Sequence, residues 1–191
     1  MPYIDTHGIT DEQKCSSKFK SAYQDMLTQL TTAGFADVLC CHEAAHLFYF
    51  KIAGTTNYEA YPAKLRYDPV IDDYLGSMAS VQPLDMTPPT EGKVKEWLSG
   101  IARAHAAGGV VARKLMSSTG GPWSDPTGGD QDDKERLTTI CQKFNAANIP
   151  IDAESFWKSA QDSVLQDLSE HPDWLSAIEQ LAEELRPKLG L

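Results

Sequence analysis

Residues 42 to 46 read His42-Glu43-Ala44-Ala45-His46, the pattern H-E-x-x-H. On a helix, at about 100° per residue, the two histidines stand about 40° apart and one turn along the axis. Two imidazoles so placed can bind a single Zn²⁺. Glu43 lies about 100° round, within reach of a water on the metal but not of the metal itself. Zinc would polarise that water and the carboxylate would take its proton, which is the minimal chemistry for hydrolysing a peptide bond. A chain with 5 His and 11 Glu in 191 residues produces this pattern by chance roughly 0.007 times. The simpler reading is a pair of unrelated histidines flanking a glutamate. The surrounding residues weigh against it, because Val38, Leu39, Cys40, Ala44, Ala45, Leu47, Phe48, Phe50 and Ile52 make the helix apolar on most faces. Such a helix is usually buried, and a buried His-Glu-His cluster is destabilising unless something compensates it. A metal ion would.

A catalytic zinc site takes a third protein ligand. His7, His105, His171 and several carboxylates are available. The segment Thr127-Gly128-Gly129-Asp130-Gln131-Asp132-Asp133 places three carboxylates on a Gly-rich stretch that opens a helix. Asp and Gly also belong at helix starts for capping and dipole reasons alone, so spacing leaves the third ligand open. Cys40 and Cys41 adjoin His42, but thiols on an apolar helix are more commonly inert core residues.

The elements that must position these residues read as mostly helical, in one domain over residues 1–191. Residues 1–18 form a lead-in, with helical character from about Asp11 and a stripe of Phe19, Tyr23, Met26, Leu27 and Leu30. Gly34 punctuates, and the H-E-x-x-H helix runs from about Phe35 to Ala53, stopping at Gly54. Residues 55 to 89 hold a small, irregular β element that includes Tyr74 to Val81. Thr87-Pro88-Pro89-Thr90-Glu91 caps a helix from about Glu91 to Met116. Gly108-Gly109 within it costs helix stability, so close packing is the expected reason for the pair. A loop follows from Ser117 to Asp132, then a helix from Asp133 to Ala147. Residues 151–191 form a C-terminal helical pair joined at His171-Pro172-Asp173, with Trp157 and Trp174 as core residues.

Seventeen basic and 27 acidic side chains give a net charge of −10. That argues against nucleic acid and against an anionic membrane surface as partners. No run approaches the roughly 20 apolar residues of a membrane span, and Met-Pro-Tyr-Ile-Asp does not read as a signal peptide. The four cysteines, Cys15, Cys40, Cys41 and Cys141, contain no C-x-x-C pair and read as reduced thiols of a cytoplasmic protein.

At this point the chain resembles the peptidase domain of the FtsH-type, ATP-dependent zinc metalloproteases, in order from about residue 20 to the end. His42-Glu43-Ala44-Ala45-His46 is similar to that family's H-E-A-G-H, with Ala45 for Gly. Tyr74-Leu75-Gly76 followed by Pro83 is similar to its A-L-G-x-x-x-x-x-P substrate-side strand, with one extra residue before the proline. Gly108-Gly109-Val110-Val111-Ala112-Arg113-Lys114-Leu115 is similar to its G-G-R-x-A-E-E-L helix. Thr127-Gly128-Gly129 through Asp133 and Thr138 is similar to its T-G-A-x-x-D-x-x-x-x-T segment. Ala177 to Leu185 is similar to its closing L-x-x-L-A-x-x-L helix. The resemblance implies a helical, zincin-like metallopeptidase fold, Zn²⁺ as cofactor, and an aspartate as the third ligand. Counting from Asp133 puts Leu137, Ile140, Cys141, Phe144 and Thr138 in the family's register, so Asp133 is expected, ahead of Asp132 and then Asp130. The chain departs from the family in having Arg113 and Lys114 where it has paired glutamates; the simpler reading turns them to solvent. It also shows no G-x-x-x-x-G-K-[ST] and no membrane anchors.

Two functions follow as expectations. One is a zinc metalloendopeptidase acting on a peptide or unfolded-protein substrate, with His42, His46 and Asp133 on the metal and Glu43 as general base. The other is a non-enzymatic, zinc-stabilised protein-interaction module derived from a peptidase domain. A homo-oligomer and a separate ATPase partner are both compatible with the sequence.

Overall fold

The computed structural model describes residues 2–54, 58–81, 91–119 and 127–191. Thr10 and Gln13 cap the first short helix, α1 (Asp11–Cys15), reciprocally. The sequence suggested continuous helical character from Asp11. Instead Ser16 takes extended backbone, and its hydroxyl accepts the Phe19 N–H at 3.1 Å. It therefore ends α1 and starts α2 (Ser17–Thr31). Gly34, at φ 77°, turns the chain into α3 (Phe35–Ile52).

A hairpin follows, of β1 (Tyr58–Asp68) and β2 (Asp73–Val81), paired antiparallel from Tyr58↔Val81 to Asp68↔Asp73. The register is irregular between Ala60 and Lys64, the stretch that contains Pro62, which has no N–H to give to a ladder. The lead-in is tied to this hairpin: Asp5 donates its N–H to the Ala63 carbonyl at 2.7 Å and accepts from Leu65 N–H at 2.9 Å. Ile4 and Ile9 are buried with it.

The long helix α4 (Glu91–Thr119) organises the rest. Its 29 residues extend about 43 Å at 1.5 Å per residue. One face packs on α3, with Ile101, Ala104, Ala107, Val110 and Val111 in the larger core. Val94, Leu98, Ala102 and Ala106 build a smaller core with Leu137, Cys141, Phe144 and Trp157. Those partners come from α5 (Thr127–Ala146) and α6 (Ala153–Glu170), while α7 (Asp173–Leu185) packs on α3. The mainly helical expectation holds, including the buried α3, the core position of Trp157 and the packing of Trp174 against the core.

The helix expected from Asp133 starts earlier, at Thr127. Propensity read Gly128-Gly129 and the aspartates as loop. Acidic residues suit the positive end of a helix, and Asp130 and Asp133 are both buried against α4; these tertiary contacts outweigh the glycine cost. Pro83, Thr87-Pro88-Pro89-Thr90, and the turn residues Gly120-Gly121-Pro122 and Asp125-Pro126 lie outside the described residues.

Candidate metal centre

Helix periodicity alone brings His42 and His46 together, with their Nε2 atoms 3.0 Å apart. His46 donates its Nδ1–H to the Ala104 carbonyl of α4 at 2.8 Å. That bond leaves Nε2 as the nitrogen available to a metal ion, in the way metal-binding histidines are commonly oriented. Asp133 arrives from α5, and its Oδ2 lies 3.2 Å from His46 Nε2. One ligand atom from each of His42, His46 and Asp133 falls within 4.8 Å of the others. Ligands about 2.0–2.1 Å from a tetrahedral zinc stand roughly 3.3 Å from one another, so this set fits a metal ion of that size. Asp132, one residue away, is exposed. His7 is exposed near the N-terminus and His171 stacks on Trp174 at 4.5 Å, away from the set.

Two further residues hold the cluster in place. His105, 2% exposed, donates its Nδ1–H to the second Asp133 oxygen, Oδ1, at 3.0 Å. The sequence offered it as one candidate third ligand, and its hydrogen bond to Asp133 makes it the orienter of that carboxylate instead. Gly108 explains itself here. A Cβ at that position would lie 2.7 Å from His46 Cε1 and 2.8 Å from His42 Cε1, so any side chain would collide with the imidazoles. Close packing is indeed the reason for the glycine pair: the two histidines pack on Gly108 and Asp130 packs on Gly109.

Glu43 is 7% exposed and stands outside the ligand group. Its carboxylate accepts a hydrogen bond from the Tyr58 hydroxyl at the start of β1. Tyr58 is itself buried, stacked on Phe50 at 5.8 Å. Sequence reasoning did not single out Tyr58 for chemistry. Fifteen residues and a change of element separate it from Glu43, and no spacing rule connects them.

Electrostatics separate the roles. Burial pushes the Glu43 carboxyl above the usual range, against the pull of His46 and Tyr58. Burial and the neighbouring His46 push His42 down to about 3, so it is a neutral imidazole. Burial also opposes charge on His46, but the Asp133 carboxylate overrides it and raises that pKa to about 9. Burial acts against Asp133 as well, yet His46 and His105 hold its carboxyl well below the usual carboxylate range. In the metal-free protein the second His46 proton therefore sits on Nε2, facing His42 and Asp133, in the place a cation would take.

One expectation needs adjusting, and the readings of Lys114, Cys40 and Cys41 hold. Arg113 does not simply face solvent: it pairs with Asp130, whose side chain is buried against Gly109. Lys114 is exposed, as the simpler reading had it. Cys40 and Cys41 are buried, and desolvation raises their thiols to about 11 and about 12, so neither offers a thiolate at neutral pH. All four cysteines are free.

The described residues contain no helix long and apolar enough to cross a membrane. No protein-family model, curated protein or solved structure matches the chain. Its functional reading rests on the geometry of this centre.

Proposed function

We propose that this chain is a zinc metallopeptidase, with His42, His46 and Asp133 as the metal ligands and Glu43 as the general base. The observation that carries the reading is the convergence of three ligands from α3 and α5 beside a buried glutamate that is not one of them. A purely structural zinc site would use four protein ligands and has no need of that carboxylate. When bound, zinc supplies a Lewis acid that acidifies water and polarises a carbonyl.

The protein's residues do the rest. Glu43 takes the proton from the attacking water and returns it to the leaving amine. The raised carboxyl pKa suits both transfers. Tyr58 holds one oxygen of the carboxylate and so limits rotation of the Glu43 side chain. His105 keeps Asp133 in a single orientation. Among the described residues β2 pairs only with β1, leaving its other edge for an extended peptide. Val81 lies opposite Tyr58, so that edge leads toward Glu43. The order of the motif segments along the chain supports assignment to the FtsH-type zincin-like peptidases.

The test pairs metal content with proteolysis. The wild type is expected to hold one zinc per chain, and Asp133→Ala to lose it. Glu43→Gln is expected to keep the metal and lose about 1,000-fold in the cleavage of an unfolded protein, within the range for a general base. Full activity in Glu43→Gln would overturn the mechanism. Tightly held zinc with no turnover on a broad peptide panel would leave the interaction module as the better reading.

A further inference from the structure

A cleft of about 830 Å³ opens between α4, α5 and α6. Val110, Trp157 and Leu165 supply apolar wall, Arg113, Lys114 and Lys134 supply cations, and Asp130 and Asp162 supply carboxylates, so cations outnumber anions by one. The cleft lies next along the same helices from the metal centre: Asp130 of its lining is one turn of α5 before Asp133, and Arg113 is two turns of α4 after His105. His105, Gly109 and Arg113 follow one another at intervals of four along α4, on one face of the helix. His105 meets Asp133; Gly109 and Arg113 meet Asp130, one turn earlier on α5. Gly108, beside Gly109, meets the histidine ligands.

The Arg113–Asp130 pair is not explained by stability. Asp130 is 8% exposed, and its Oδ1 is buried without a hydrogen-bond partner among the described residues. Burying the Asp130 carboxylate with one oxygen unsatisfied carries a desolvation cost, and a partly exposed guanidinium offsets it only in part. What the pair does provide is a fixed guanidinium. Gly109 leaves room for the carboxylate, whose Oδ2 would lie 2.7 Å from a Cβ there. Only Nη1 of Arg113 goes to Asp130, and a guanidinium carries five N–H donors. The Arg113 side chain remains 32% exposed and lines the cleft. Lys134 pairs with Glu154 at 2.7 Å and Arg113 gives Nη1 to Asp130, so Lys114 and the remaining N–H donors of Arg113 are the cationic groups the cleft offers a ligand. Leu165, at 51%, is one of the few large apolar side chains left exposed, and it stands on the same wall.

The geometry points to this cleft as a subsite for a carboxylate on the peptide substrate, anchored by Arg113 and flanked by an apolar side chain lying on Val110, Trp157 and Leu165. The inference rests on the peptidase reading and gives it a substrate class. Arg113 is a specificity residue here, oriented by Asp130. The carboxylate can be the chain terminus or the side chain of Asp or Glu.

The experiment measures binding to the metal-free and zinc-loaded full chain by calorimetry. The probes are acetyl-Ala-Ala-Leu as free acid and as amide, and acetyl-Ala-Glu-Leu-amide. The free acid is expected to bind the metal-free protein roughly tenfold more tightly than the amide, the scale of one charge-assisted contact. If the Glu-containing amide matches the free acid, the anchored group is an acidic side chain; if it matches the plain amide, it is the terminus. Arg113→Ala should erase the preference and Arg113→Lys should restore part of it. Because Arg113→Ala strands Asp130, the double variant Arg113→Gln/Asp130→Asn removes both charges together and should erase the preference as well. Equal binding of acid and amide, or a preference that survives these variants, overturns the inference. Turnover is measured separately on the zinc-loaded chain. Carboxylate preference without turnover would remove the peptidase reading and keep the subsite; turnover without preference would remove the subsite alone.

Discussion

The α3–α4–α5 layer and the α6–α7 pair are built by opposite rules. In the first, the described chain buries Glu43, His46, His105, Asp130 and Asp133. In the second, the buried residues are Trp157, Ala160, Val164 and Leu168 on α6, and Ile178, Ala182 and Leu185 on α7, all apolar. Buried charge is expensive unless it is paired or coordinates a metal, whereas apolar burial stabilises directly. The contrast marks the buried faces of α6 and α7 as apolar scaffold, and the first layer as the place where buried polar groups form a set that could hold a metal ion. The Arg113 cleft lies where the two meet.

The sharpest way to test this division is to damage the scaffold and watch the centre. Ile178, fully buried on α7, is expected to cost about 3–4 kcal/mol when changed to Ala, read by urea denaturation. Zinc stoichiometry should stay at one per folded chain. Loss of metal in a still-folded Ile178→Ala protein would break the distinction between the two regions.

The converse substitution lies at Gly108. In an ordinary exposed helix Gly→Ala stabilises by about 1 kcal/mol. Gly108→Ala should instead destabilise by about 2 kcal/mol, because the added methyl meets the His42 and His46 rings. Zinc affinity should fall with it, as measured by competition with a chelator. A stabilised variant with unchanged affinity would show that the two helices separate at little cost.

The smallest effect is protonic. The folded His46 pKa, raised to about 9 by Asp133 against the cost of burial, means that a metal ion must displace a proton. About one proton should leave per zinc at pH 7.5, detected by calorimetry in buffers of different ionisation enthalpy, and the release should fade above pH 9. In the metal-free protein the same proton contributes stability. That contribution is complete below the unfolded pKa of about 6.5 and is lost as pH rises through about 9. A metal-free stability that rises across this interval would place the proton elsewhere.

Much of this centre was legible before any fold was known. His42 and His46 needed only 3.6 residues per turn, and the apolar stretch around them already marked α3 as buried. The spacing left several carboxylates as the third ligand. Asp133 is separated from Asp132 by which side of α5 faces α4, and from Asp130, on the same side, by one turn of the helix, which brings Asp133 to His46 and His105 and Asp130 to Arg113. Helix starts were harder to read. Ser16 divides the first helical stretch with a local hydrogen bond, while Thr127 begins α5 six residues early because its aspartates find partners across the interface.

By itself, then, the sequence determined what is periodic and local: the helices, the histidine pair, the glutamate between them, and a composition that disfavours nucleic acid. The tertiary structure alone decided that Tyr58 reaches Glu43, that Gly108 makes room for two imidazoles, and that Arg113 turns inward to Asp130. These are contacts between residues 15 to 66 positions apart. Nothing in a one-dimensional period encodes them, because they depend on how close one helix or strand is allowed to come to the next.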